Sequence, residues 1–213
     1  MEPNNLAIGL AWYVAFLFST VVHEASHALA ARAGGDRTSE GQVTLDPLPH
    51  IVREPFGMVL IPWLMFFLNG SMMGWASTPY DPTWAARYPR RAALMALAGP
   101  VSNLLLAVLS GVVLHVGLVQ GWFGDGPDGG VARMFLLIFF QLNVLLFVLN
   151  LLPSPPLDGA SAVTLLMPER TAQAWRDTLR NPSLSMITLL LVWMVFPSVA
   201  GPVLKWAVKV VLP

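Results

Sequence analysis

The sequence predicts an all-α polytopic membrane protein with about four to six transmembrane helices. Of its 213 residues, 55% are hydrophobic and only 11% are charged, whereas soluble domains carry about 25% charged residues. The mean hydropathy is +0.63. The net charge is zero, which gives no electrostatic reason to expect nucleic acid as a partner. The chain also contains no cysteine, so a disulfide framework and thiolate metal ligands are excluded. The expected surroundings are a lipid bilayer.

Four apolar stretches approach the roughly 20 residues that a helix needs to cross a bilayer. They cover residues 6–31, 92–119, 131–152 and 184–199. Gly201 and Pro202 interrupt the last stretch, so we expect residues 203–212 to form a separate interfacial helix. Between the first two stretches, Val43 and Leu45 alternate with polar residues, and this pattern predicts a short membrane-edge β element at 41–46.

A fifth apolar stretch, at 55–78, contains three glycines and two prolines and could either cross the membrane or re-enter it. Arginines cluster in the connections at 32–53, 87–91 and 170–180, whereas the connection around Asp125 and Asp128 is acidic. Basic connections prefer the cytoplasm. All three clusters share one side only if 55–78 is re-entrant, whereas a true fifth span would place the second cluster outside. We favour the re-entrant arrangement, with the N-terminus outside.

The first apolar stretch ends in the motif HEASH, residues 23–27. On a helix, residues four apart share a face, so His23 and His27 can bind one Zn²⁺ with Glu24 beside them as a general base. Two histidines and a glutamate in one turn of a membrane helix would be costly without a function. The motif therefore predicts a zinc site inside the membrane. The isolated His115, in contrast, is expected to be a buried imidazole that bonds a backbone carbonyl.

Catalytic zinc takes three protein ligands and keeps one position open. The best third ligand is Asp158, which follows the proline-rich run NLLPSPPL. Considered alone, Asp158 would be a helix N-cap. Charge placement, however, brings it to the same membrane depth as the two histidines, so we predict that it completes the site.

Three motifs in this order, HEASH, ALAGPVSN (96–103) and NLLPSPPLDG (150–159), resemble the site-2 protease family of intramembrane metalloproteases, peptidase family M50. The resemblance covers nearly the whole chain. It implies that His23, His27 and Asp158 hold Zn²⁺ and that Glu24 is the catalytic base. It also suggests that Asn103 and Asn150 position the substrate, with interhelical hydrogen bonding as an equal alternative. The length leaves no room for PDZ or CBS domains, so we expect one membrane domain over 1–213.

The predicted function is that of an intramembrane zinc endopeptidase that cleaves transmembrane or membrane-proximal segments of membrane proteins, with its active site near the cytoplasmic face. We expect residues 42–45 to hold the substrate by strand addition. Ten arginines against two lysines suggest a prokaryotic cell membrane. Two alternatives remain: a metal transporter, whose ligands would be spread over membrane depth, and a non-catalytic protein that binds membrane helices, which would be free to lose Glu24. The oligomeric state stays open.

Overall fold

The computed structural model describes residues 3–70, 72–124, 126–179 and 181–213. Its α-helices are α1 (Pro3–Ala33), α2 (Pro47–Arg53), α3 (Ile61–Asn69), α4 (Pro82–Arg87), α5 (Pro89–Val119), α6 (Pro127–Asn150), α7 (Asp158–Ala162), α8 (Glu169–Leu179) and α9 (Pro182–Val211). A π-helical turn, Phe56–Leu60, leads into α3, and 3₁₀ turns occur at Glu40–Gln42 and Val163–Leu166. Within these residues, α1, α5, α6 and α9 are long and apolar enough to cross a membrane. The predicted all-α polytopic fold is confirmed.

The core forms where α1, α5 and α6 pack together. On one side, Ala15 and Phe16 of α1 meet Ile138 and Leu142 of α6. On the other side, α9 packs Ala207 against α5 and α6. Since lipid is as apolar as a leucine side chain, such contacts gain stability from close van der Waals packing rather than from the hydrophobic effect.

Helix α9 is continuous from Pro182 to Val211, so the predicted separate helix at 203–212 is wrong. Pro197 and Pro202 lie inside α9. In lipid, a helix is the main way to pair the backbone N–H and C=O groups of a span. Each proline leaves one backbone carbonyl without its helical partner, and neighbouring groups can bond that carbonyl instead. Near the end of α9, the carbonyl of Val211 accepts a hydrogen bond of 2.8 Å from Nδ1 of His115. The carbonyl bond expected for His115 is therefore present, but its side chain is exposed and not buried as predicted.

The predicted β element at 41–46 is also wrong, and the residues that the structure describes contain no strand. Glu40–Gln42 form a 3₁₀ turn instead. The Asp46 side chain then accepts the backbone N–H of Leu48 at 3.0 Å, and Pro47 occupies the first position of α2. An Asp N-cap followed by proline is a strong helix start. This local signal prevails over the alternation of Val43 and Leu45.

Residues 55–78 enter the bundle and return to their starting point. The helices at 47–53 and 56–68 are bent by 111°, and Gly70, with a positive φ of 72°, ends α3. The chain then runs back until the N–H of Trp75 bonds the Gly57 carbonyl at 3.1 Å. A Cβ at Gly57 would collide with the Trp75 carbonyl, and one at Gly74 with the Gly57 carbonyl. This return is what the re-entrant arrangement requires.

The described basic connections lie at one end of the bundle. After α1, the carbonyl of Gly34 accepts bonds of 3.0 Å from both Arg91 and Trp84, so the second arginine cluster packs onto the end of α1. Helix α8 joins the same end, because the indole N–H of Trp175 bonds the Ala160 carbonyl at 2.7 Å. Asp125, Arg180 and the side chain of Asp128, which also entered the charge analysis, lie outside the described residues.

Candidate active site

Helix α1 carries His23, Glu24 and His27 into the interior of the bundle. From Leu10 to Arg32 the sequence has neither glycine nor proline, so the helix is uninterrupted and the two histidines share one face. Their ring centroids are 4.6 Å apart, with the rings nearly perpendicular. All three side chains are buried, at 5–6% exposure.

Asp158 reaches the same point from the other end of the chain. It opens α7, after the connection 151–157 that follows α6. Its Oδ2 lies 3.0 Å from Nε2 of His23 and 3.2 Å from Nε2 of His27. The next residue, Gly159, packs so closely on the carbonyls of Leu151 and Leu152 that a Cβ there would collide with them. The structure thus brings together the three side chains that the sequence analysis selected as metal ligands.

Both histidines are oriented by hydrogen bonds from the other ring nitrogen. Nδ1 of His27 lies 2.7 Å from the Met95 carbonyl, and Nδ1 of His23 lies 2.6 Å from Oδ1 of Asn103. Because a carbonyl oxygen can only accept, each Nδ1 is the donor of its bond, and a neutral imidazole bonded in this way presents the lone pair of Nε2 to a metal. Such outer bonds are typical of zinc-binding histidines. Two imidazole nitrogens and a carboxylate form a known catalytic zinc set, so these residues fit the ion.

Gly99 of α5 lies against the two histidines. A Cβ built on Gly99 would be 2.6 Å from Nε2 of His23 and would also collide with the ring of His27. Only a glycine therefore lets α5 approach the site this closely. In the sequence, Gly99 and Pro100 suggested no more than helix packing, and nothing in the motif ALAGPVSN pointed to this contact.

Glu24 is held by Thr78, a residue that the sequence analysis did not select. The Thr78 hydroxyl donates to Oε2 of Glu24 at 2.7 Å and lies 3.0 Å from the Glu24 carbonyl. Thr78 is the last residue of the re-entrant segment 55–78, in the part where no regular secondary structure forms. A single threonine in such a run carries no sequence signal, so only the fold reveals it.

A cavity of about 560 Å³ opens beside the three converging side chains. Glu24, His27 and Asp158 line one side, and residues 76–78 line another. Much of the remaining wall consists of alanines from α4 and α5: Ala85, Ala86, Ala92, Ala93 and Ala96. Helix α8 contributes Arg176 and Leu179. The volume lies in the range of small-molecule and peptide sites, and the small wall residues leave room for a substrate backbone.

The two asparagines of the predicted site differ in position. Asn103 is fully buried and contacts His23. Asn150, at the end of α6, is half-buried and donates to the Leu146 carbonyl at 3.1 Å. Their predicted contact with a substrate remains a prediction.

Comparison with known proteins gives one family. A model described as Peptidase family M50 matches residues 11–124 and 115–194. A Bacillus subtilis protein named as a candidate zinc metalloprotease, YwhC, is 35% identical over 163 residues, which cover 73% of this chain and 68% of that protein. The similarly named Rip2 of Mycolicibacterium smegmatis is 30% identical over 178 residues, 83% of this chain and 64% of Rip2. Rip2 of Mycobacterium tuberculosis is 37% identical over 150 residues, 70% of this chain and 54% of Rip2. No solved structure matches.

Proposed function

Because this chain belongs to peptidase family M50 and is a zinc-dependent hydrolase of the membrane, we propose that it cleaves transmembrane or membrane-proximal segments of other membrane proteins. This activity would place it in regulated intramembrane proteolysis. One observation carries the proposal: two histidines and an aspartate converge at a cavity that Glu24 also lines. The convergence at a single depth favours catalysis over transport, which needs ligands along a path.

In this proposal, the ligands of Zn²⁺ are His23, His27 and Asp158. The convergence of one ligand atom from each residue supports the assignment, since these atoms all lie within 4.8 Å of one another. When bound, zinc lowers the pKa of a water molecule and polarises the scissile carbonyl. The chain itself supplies the orientation of the two imidazoles and a buried setting in which electrostatic interactions are strong.

Glu24 is the proposed general base and acid. Its carboxylate accepts a proton from the attacking water and then delivers that proton to the leaving amine nitrogen. One side chain therefore performs both proton transfers that hydrolysis requires. The hydroxyl of Thr78 fixes one carboxylate oxygen at 2.7 Å. The second oxygen therefore stays available to face the cavity.

The substrate must be extended at the cleavage point, because the peptide bonds of a helix are shielded by their own hydrogen bonding. Residues 76–78 border the cavity without regular secondary structure, and we assign them the role of guiding the extended substrate. Residues 42–45, which form no strand, are no longer proposed to bind the substrate by strand addition. Asn150 is retained as a substrate-positioning residue.

The arginine-rich connections lie at the same end of the bundle as the site, so the proposal puts the active site near the cytoplasmic face. Water then reaches the site over a short path. The bacterial relatives and the arginine-rich composition fit a prokaryotic cell membrane.

The proposal is tested by reconstituting the purified protein in liposomes with a labelled single-pass reporter peptide. We expect the wild type to cleave the reporter, a chelator to stop cleavage and added Zn²⁺ to restore it. Glu24→Gln should retain zinc and lose activity by at least about 100-fold, the usual contribution of a general base. Ser110→Ala, a buried change on α5 away from the site, is the control and should cleave normally. Cleavage by Glu24→Gln at the wild-type rate would refute the assignment, and zinc flux without cleavage would favour a transporter.

A further inference from the structure

Behind His23, three fully buried polar side chains form a connected network across the helix bundle. They are Ser19 on α1, Asn103 on α5 and Asn143 on α6, each 0% exposed. Oδ1 of Asn103 lies 2.6 Å from Nδ1 of His23. Nδ2 of Asn103 donates to Oδ1 of Asn143 at 2.9 Å, and Nδ2 of Asn143 donates to Oγ of Ser19 at 2.8 Å.

The direction of each bond in this network is fixed by two backbone carbonyls, which can only accept. The amide nitrogen of Asn143 donates to the Phe139 carbonyl at 2.9 Å, so its oxygen must face Asn103. The amide nitrogen of Asn103 then faces both that oxygen and, at 3.4 Å, the Ser19 carbonyl. As a result, the amide oxygen of Asn103 faces His23 and requires a proton on Nδ1.

Turning the amide of Asn103 round would prevent His23 from binding a metal through Nε2. With its amide turned round, Asn103 would present N–H groups to Nδ1 of His23, and the imidazole would have to carry its proton on Nε2. A protonated Nε2 has no lone pair for a metal. The reversal would also set two acceptors against each other, the oxygens of Asn103 and Asn143, at a buried site where unpaired polar groups are costly.

We propose that Asn143 and Ser19 are positioning residues of the metal centre: acting through Asn103, they hold the proton of His23 on Nδ1 and keep Nε2 free for the ion. This inference rests on the proposed function only in taking His23 as a ligand. His27 needs no such network, because the Met95 carbonyl fixes its proton directly. Asn143 lies in the apolar run FFQLNVLL of α6, where a polar side chain needs a reason.

The first test measures zinc affinity by competition with a chromophoric chelator, on the full chain in detergent. Outer-shell changes typically weaken metal binding 10- to 100-fold, and we expect Asn103→Leu to fall in that range. Asn143→Leu should weaken binding by about 10-fold. Because Asn143 acts through Asn103, the double variant should bind no more weakly than Asn103→Leu alone, whereas independent effects would multiply. Ser19→Ala should show a smaller loss in the same direction, and Ser110→Ala should match the wild type.

The second test needs no variant with altered packing. In metal-free wild-type protein with ¹⁵N-labelled histidine, NMR should show His23 protonated on Nδ1, with its signal assigned by its loss in His23→Gln. A proton on Nε2 with none on Nδ1 would overturn the inference, as would wild-type zinc affinity in a folded Asn143→Leu variant or multiplicative losses in the double variant. A wild type that binds zinc without cleaving the reporter would contradict the proposed function alone. A wild type that binds no zinc would contradict the ligand assignment and would overturn the inference with it, because the inference takes His23 as a ligand.

Discussion

Helices α1 and α9 have almost the same length, 31 and 30 residues, and both pass as membrane spans. Their surroundings differ sharply, since 39% of an 18-residue apolar window of α1 is buried within the protein but only 11% of the corresponding window of α9. The buried residues of α1 include Ser19, His23, Glu24 and His27, whereas the buried ones among the described side chains of α9 are the apolar Val192, Ala200 and Ala207. Hydropathy therefore identifies a span, and polar residues within it indicate which face turns inward.

The largest effect is expected when a methyl group is added on α5 where it faces the histidines of α1, and the matched control adds the same group on α9. In Gly99→Ala the new Cβ would collide with the rings of His23 and His27. We expect zinc affinity to fall by about 100-fold, the upper end of the range for disturbed metal shells, as measured by chelator competition. In Gly201→Ala on α9, the new Cβ meets open space, and zinc affinity should not change. Equal affinities for Gly99→Ala and the wild type would contradict the close approach of α5.

A smaller effect is expected from matched truncations of large side chains. Phe16 of α1 is 2% exposed, and Leu190 of α9 is 63% exposed. Phe16→Ala should leave a cavity and cost about 3 kcal/mol, measured as free energy of unfolding in mixed micelles. Leu190→Ala removes atoms that face the surroundings, and its cost should stay within about 0.5 kcal/mol. Similar losses for the two variants would mean that α9 is buried by a partner.

The smallest expected effect concerns the connection after α1. Burial would raise the pKa of Asp36, but hydrogen bonds from the hydroxyl and N–H of Thr38 and the N–H of Asp81 outweigh it and hold the pKa below its usual value. The stabilisation is complete above the unfolded pKa of about 3.9 and is lost as the pH falls through the lower folded pKa.

Asp36→Asn should therefore be slightly less stable than the wild type at neutral pH and should lose less stability on acidification. Thermal unfolding of both proteins between about pH 3 and 7 measures the difference. Parallel pH profiles would show that Asp36 contributes nothing through its charge.

The sequence predicts those features of the molecule that follow from a short stretch of residues alone, because such a stretch is compatible with only one local structure. The spacing of His23 and His27 fixes their common face, and the arginine distribution brought Asp158 to the same depth. The contacts of Thr78 and Gly99 depend on how the hairpin and α5 pack, which no local pattern specifies. Two predictions were wrong. The strand at 41–46 rested on a weak alternation, and the strong helix cap at Asp46 prevailed over it. The break at Gly201 was expected because of the following proline, but in lipid a proline-containing helix stays intact.

The most direct test of the account is X-ray absorption at the zinc edge on the purified protein loaded with one equivalent of Zn²⁺. The account predicts a four-coordinate ion with two imidazole nitrogens at about 2.0–2.1 Å and oxygen ligands at about 2.0–2.2 Å. One imidazole should be lost in His27→Ala. A spectrum without imidazole scattering, or one unchanged in His27→Ala, would contradict the central claim that α1 and α7 close one zinc site.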